Sequence, residues 1–192
     1  MTTPISQLTQ KAMLRTLTLA LLSSLIIATP VLAAEKPSNH AAAHQPTSDS
    51  LVKLVREGTR QYIDVNNATA AGYGSFLGCV AGTDHGAMGI HYVNGTLLGN
   101  LTLDPSQPQA LIYEPSNGKM TLVGVEFILD SASWLAANNN TPPVLDGQVF
   151  NFVGAPNRFN IPSFFELHVW AWRDNPQGAF VDWNNDVTCA GQ

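Results

Sequence analysis

The chain has 192 residues, 9 Lys+Arg against 14 Asp+Glu, and a net charge of −5. That is enough length for one substantial core, and the acidic balance gives phosphates little to hold. With no basic run and no RNA-binding signature, nucleic acid is excluded as an expected partner, and no Lys/Arg-rich amphipathic segment points to an anionic membrane surface.

Lys11 and Arg15 precede an apolar run from Leu17 to Ala28, and small residues follow at Ala33 and Ala34. This order of charge, apolar stretch and small residues predicts a secretory signal over residues 1–33. The run falls well short of the roughly 20 residues that cross a bilayer as a helix, so no stable membrane insertion is expected. The protein is read as exported, to the periplasm or beyond the cell. Residues 34–50 contain Ala, Pro, Ser, Asn, His and Gln without apolar periodicity, which predicts a disordered linker. His40 and His44 in it are read as a solvated pair, with weak metal capture as the rival. Residues 51–192 form a single globular domain.

Export places Cys79 and Cys189, the only cysteines, where thiols oxidise, and one disulfide between them is expected. Neither belongs to a C-x-x-C pair, which argues against a redox couple or a thiolate metal site.

Asp49 or Ser50 can cap a helix beginning at Leu51, in which Leu51, Leu54, Val55, Tyr62 and Val65 recur near helical spacing and Lys53, Arg56, Glu57 and Arg60 stay outside. Residues 65–71 continue it as a separate turn, and Gly72, Gly74 and Gly78 end any helix. In the segment 82–94, His85, Met88 and His91 come three residues apart in a loop leading to a short strand over 90–93. Thioether and imidazole suit copper; one buried Met beside two loop histidines is the plainer alternative.

Strands over 110–114 and 121–129 flank Pro115-Ser116-Asn117-Gly118, a hairpin turn. Val123, Val125, Phe127 and Leu129 share one face of the second strand, and Glu126 sits on the other with Leu122, Gly124 and Ile128. A carboxylate there needs a partner. Asp130-Ser131 can cap a brief helix to Ala137, followed by an irregular strand over 144–153 and a Pro- and Asn-rich loop. From Phe164 to Trp172 the period is two. Phe165, Leu167, Val169 and Ala171 face the core, and Phe164, Glu166, His168, Trp170 and Trp172 face the other way. Hairpins behind one amphipathic helix predict an α+β domain, the N-terminal helix packed on a curved, mainly antiparallel sheet.

The blocks GAMGIHYVN, YEPSNGK and ELHVWAWRDNPQG, in this order, resemble a family of uncharacterised secreted bacterial proteins over most of residues 51–192. The chain departs from that pattern at Asn185, where the family tends to have proline. The resemblance implies a bacterial exported single domain and assigns no catalytic residue.

No Gly-rich phosphate loop, H-E-x-x-H or G-x-S-x-G is present, so whether the protein is an enzyme stays open. Three readings of the polar face remain. The first is a non-catalytic ligand pocket of Glu126, Glu166, His168, Trp170 and Trp172. The second is a divalent metal (zinc, iron or copper) held by His91, Glu126 and His168, with Glu166 as ligand or support. The third is metal-free acid–base chemistry by Glu126 or Glu166 with His168.

Overall fold

The computed structural model describes residues 48–192; the expected signal, most of the linker, and His40 and His44 lie outside them. Helix α1 covers Ser48–Thr59, so the helix starts three residues before Leu51 and takes in the last residues assigned to the linker. Its apolar stripe buries Leu51 and Val55 completely, and with them Thr59. A 3-10 turn, Arg60–Ile63, leads to α2, Val65–Ala70, whose start is capped by Asp64 accepting from the Asn66 amide at 2.9 Å. Asp and Asn serve this way because a short side-chain oxygen satisfies an amide that the helix leaves unpaired.

The strands are β1 (Tyr73–Ala81), β2 (Ala87–Asn94), β3 (Ala110–Ser116), β4 (Lys119–Asp130), β5 (Val144–Leu145), β6 (Gln148–Val149), β7 (Asn151–Val153) and β8 (Phe164–Val169). Two short helices, α3 (Gly95–Leu98) and α4 (Ser131–Ala137), are capped by Asn94 and Asp130. Six strands make one open sheet in the order β1-β2-β3-β4-β8-β7, every neighbouring pair antiparallel, and β5 and β6 form a small separate hairpin. The domain is α+β, with α1 on one sheet face. Leu51 and Val55 pack there with Val125, Phe127, Leu129, Phe165, Leu167 and Val169. No helix among the described residues is long and apolar enough to cross a membrane.

Three departures from the sequence reading have local causes. The glycines taken only as helix breakers accompany β1, an edge strand whose side chains are largely exposed and which therefore shows no alternation. In β4 the pairing passes from Ile112↔Gly124 to Tyr113↔Leu122, leaving Val123 as the extra residue of a bulge. Val123 is thereby turned to the second face, where it packs with Ala87, Ile112, Trp170 and Val187, and Leu122 to the helix face. Finally β8 ends at Val169. Beyond it the Trp172 and Arg173 amides both donate to Val123 O, and Trp172 packs on the helix side, its indole N–H donating to Thr59 Oγ1 at 3.0 Å.

The C-terminal segment covers part of the second face. Asn184 bridges to Ala87, and Gly86 (φ +74°) is needed there because a Cβ would lie 2.1 Å from Asn184 O. Glu114 pairs with Arg173 at 2.6 Å and accepts from the Thr188 amide at 2.9 Å. Cys79 and Cys189 are disulfide-bonded, their Cα atoms 5.7 Å apart.

Candidate functional site

On the second face, register brings the polar residues together. His168 lies directly across from Glu126, and Glu166 across from Ile128. His91 on β2 is opposite Ile112, and Glu126 is opposite Ala110 on the intervening β3. Because Ala110 carries only a methyl group, His91 can reach over β3, and its Nε2 comes within 3.2 Å of Glu126 Oε2. This is the partner that a carboxylate on that face needs. His91, Glu126, Glu166 and His168 are all buried.

His168 is 1% exposed. Its ring stands edge-on to His91 at 5.8 Å and stacks on Trp170 at 6.2 Å, and neither ring nitrogen has a hydrogen-bond partner. Asp182 Oδ1 lies 3.6 Å from Nδ1, beyond a good hydrogen bond. One ligand atom from each of His91, Glu126 and His168 lies within 4.8 Å of the other two, and Glu166, His168 and Asp182 form a second such group.

The two carboxyls divide one charge. Glu166 is pushed up to about 10, first by burial and then by the negative charge and hydrogen bond of Glu126, with Asp182 adding. Burial would also raise Glu126, but His168, His91 and the hydrogen bond from Glu166 outweigh it and hold this carboxyl below the usual range. Burial also disfavours a proton on His168, with Glu126 opposing, His91 reinforcing and Asp182 opposing. The attraction of His168 for Glu126 operates only while that ring is charged. Near neutrality the Glu126 carboxylate is therefore held chiefly by the hydrogen bonds from His91 and from protonated Glu166.

A pH dependence follows. Between its ordinary carboxylate range and its folded value, Glu166 keeps a proton that the unfolded chain releases, so its contribution to stability falls as pH rises through that window. Glutamine has the shape of the protonated acid and can still donate to Glu126. In metal-stripped protein, Glu166→Gln is expected to be more stable than wild type by about 1–3 kcal/mol at pH 8, with the gain shrinking toward pH 5. Urea unfolding across this range checks it, and a gain independent of pH would mean that Glu166 is ionised in the fold.

His91, Glu126 and Glu166 form the polar part of a small cavity of about 50 Å³ that opens to solvent. Its remaining walls are apolar, among them Phe76, Met88, Phe159 and Phe164. Of the residues expected to line a pocket, Glu126 and Glu166 do so, whereas His168 and Trp170 lie beside the cavity as a stacked pair. Trp172 is on the opposite side of the sheet, because the alternation of β8 stops three residues before it. His85 is exposed in the loop and its ring lies 6.3 Å from that of Trp183, so the run His85, Met88, His91 is divided between a surface loop and the cavity. Asp182 was not anticipated. It lies in irregular chain without periodicity, and only the return of the C-terminal segment across the sheet places it near His168.

Comparison with protein-family models, with curated proteins and with solved structures finds no match for this chain.

Proposed function

We propose that this is an exported bacterial domain that binds one divalent transition-metal ion through His91, Glu126 and His168, zinc or iron(II) being the best suited. The observation that carries the reading is His168, a fully buried imidazole with two unpaired nitrogens. Leaving buried polar atoms unsatisfied is unfavourable, and a ligand that accepts one of them removes the penalty. Asp182, near Nδ1, suits the role of an outer carboxylate that orients a ligating histidine, which assigns Nε2 to the ion. Two imidazoles and one carboxylate leave open positions for a water or a small molecule. The leader-like N-terminus, the resemblance to secreted bacterial proteins and the Cys79–Cys189 bond support a periplasmic or extracellular location.

A metal-free acid–base centre has in its favour two buried carboxyls, Glu126 and Glu166, whose environments push their proton affinities in opposite directions. One experiment separates the two. Protein purified without an affinity tag is expected to retain close to one equivalent of metal, and stripped protein is expected to gain about 2.7 kcal/mol when zinc is present at a hundred times its dissociation constant. His168→Leu should abolish that gain while leaving the stripped protein as stable as wild type or more so, since the two unpaired nitrogens go with the ring. No retained metal, and no stabilisation by zinc, iron(II) or copper, would sink the metal reading and leave the carboxyl pair.

A further inference from the structure

The cavity wall at β1 has an unusual construction. Consecutive pairs between β1 and β2 are Phe76↔His91 and Cys79↔Ile90, so Leu77 and Gly78 are looped out of the ladder. Both have positive φ, 61° and 69°. For glycine this is ordinary, but a leucine rarely adopts it because its Cβ crowds the following carbonyl. The looped-out pair begins next to Phe76, and both large side chains line the cavity while staying 42% and 55% exposed. Phe159 and Ile161, from the loop before β8, line the same cavity. The chain thus adopts a strained backbone and leaves two large apolar groups in water around an opening that leads to His91, Glu126 and Glu166. Strain kept at the rim of a cavity points to use of that rim.

We propose that the cavity binds a small uncharged apolar molecule with a single oxygen-bearing end, a hydroxyl or carbonyl compound. Its hydrocarbon part lies against Phe76, Leu77, Phe159 and Ile161, and its oxygen turns toward His91 and Glu166. No lysine or arginine lines the cavity, so an anion would be desolvated beside carboxyl groups without a counter-charge. Glu126 already has His91 as its partner, so an organic ammonium group, which cannot coordinate the imidazole as a metal ion does, would gain a carboxylate only by breaking that pair. The walls stand whether or not an ion is bound, and the inference therefore goes beyond the metal reading.

The test is calorimetric titration with hexan-1-ol, hexanoate and hexylammonium, on metal-stripped and on zinc-loaded protein, for wild type, Phe76→Ala and Leu77→Gly. Hexan-1-ol is expected to bind in at least one of the two forms with a dissociation constant on the order of 1 mM or tighter, and both charged compounds at least ten times more weakly. Phe76→Ala is expected to weaken binding about five- to tenfold. Leu77→Gly is expected to weaken it about threefold without lowering the melting temperature, because glycine accepts the backbone angle at that position. Absence of saturable hexan-1-ol binding in both forms, tighter binding of either charged compound, or undiminished binding in both variants overturns the proposal. Alcohol binding by a protein that retains no metal and is not stabilised by added zinc, iron(II) or copper would retire the metal reading and keep this one.

Discussion

Removing the Cys79–Cys189 bond is expected to lower stability by about 4–5 kcal/mol, the chain-entropy value for a closed loop of this length, 110 residues in sequence separation. The bond does more than shorten the unfolded chain. It holds the end of a segment that contributes no strand to the sheet yet covers Ala87, Ile112, Val123 and Trp170 with Val187. Polar ties also hold it, among them the Asn184 bridge to Ala87, the Thr188 amide on Glu114, the Trp170 indole N–H donating to Val181 O and the Arg173 guanidinium donating to Asp186 O. Urea unfolding of the Cys79→Ser/Cys189→Ser double variant measures the loss. Because the same segment carries Asp182 to His168, the variant should also bind zinc more weakly even where it remains folded. A loss under about 1 kcal/mol would show that the unfolded chain is already constrained or that the polar ties suffice.

His91→Ala is expected to cost about 3–5 kcal/mol in metal-stripped protein, the usual penalty for leaving a buried charge without its partner. Glu126 is 5% exposed and lies 3.2 Å from the ring being removed. With Glu126→Gln already in place no charge is stranded, and the same His91→Ala change should cost only the lost packing of one ring, about 1–2 kcal/mol. The difference is the coupling energy, and denaturant unfolding of the four proteins of the cycle gives it. Additive effects would mean that Glu126 draws its support from Glu166 or His168 instead. Glu126 and His168, although they face each other across β4 and β8, should couple less strongly than Glu126 and His91, because burial keeps His168 uncharged near neutral pH.

Local chemistry in the sequence was sufficient for much of this protein. Alternation in Val125–Leu129 and in Phe165–Val169 determined which side chains meet α1, because a strand's period of two sends alternate residues to opposite faces regardless of the rest of the fold. The same rule put Glu126, Glu166 and His168 on the other face, and the short side chain of Asp130 determined where α4 begins. Only the tertiary structure decided how these pieces combine. The bulge at Val123 reverses the faces at one end of β4, and no periodicity announces an extra residue. Trp172 leaves the pocket face because its backbone amide is taken by Val123 O after β8 has ended, a contact between residues far apart in sequence. The meeting of His91 with Glu126 depends on Ala110 lying small between them, and Asp182 reaches His168 only because the last residues fold back over the sheet. A sequence states which groups a face carries; register, bulges and the return of the chain determine which of them touch.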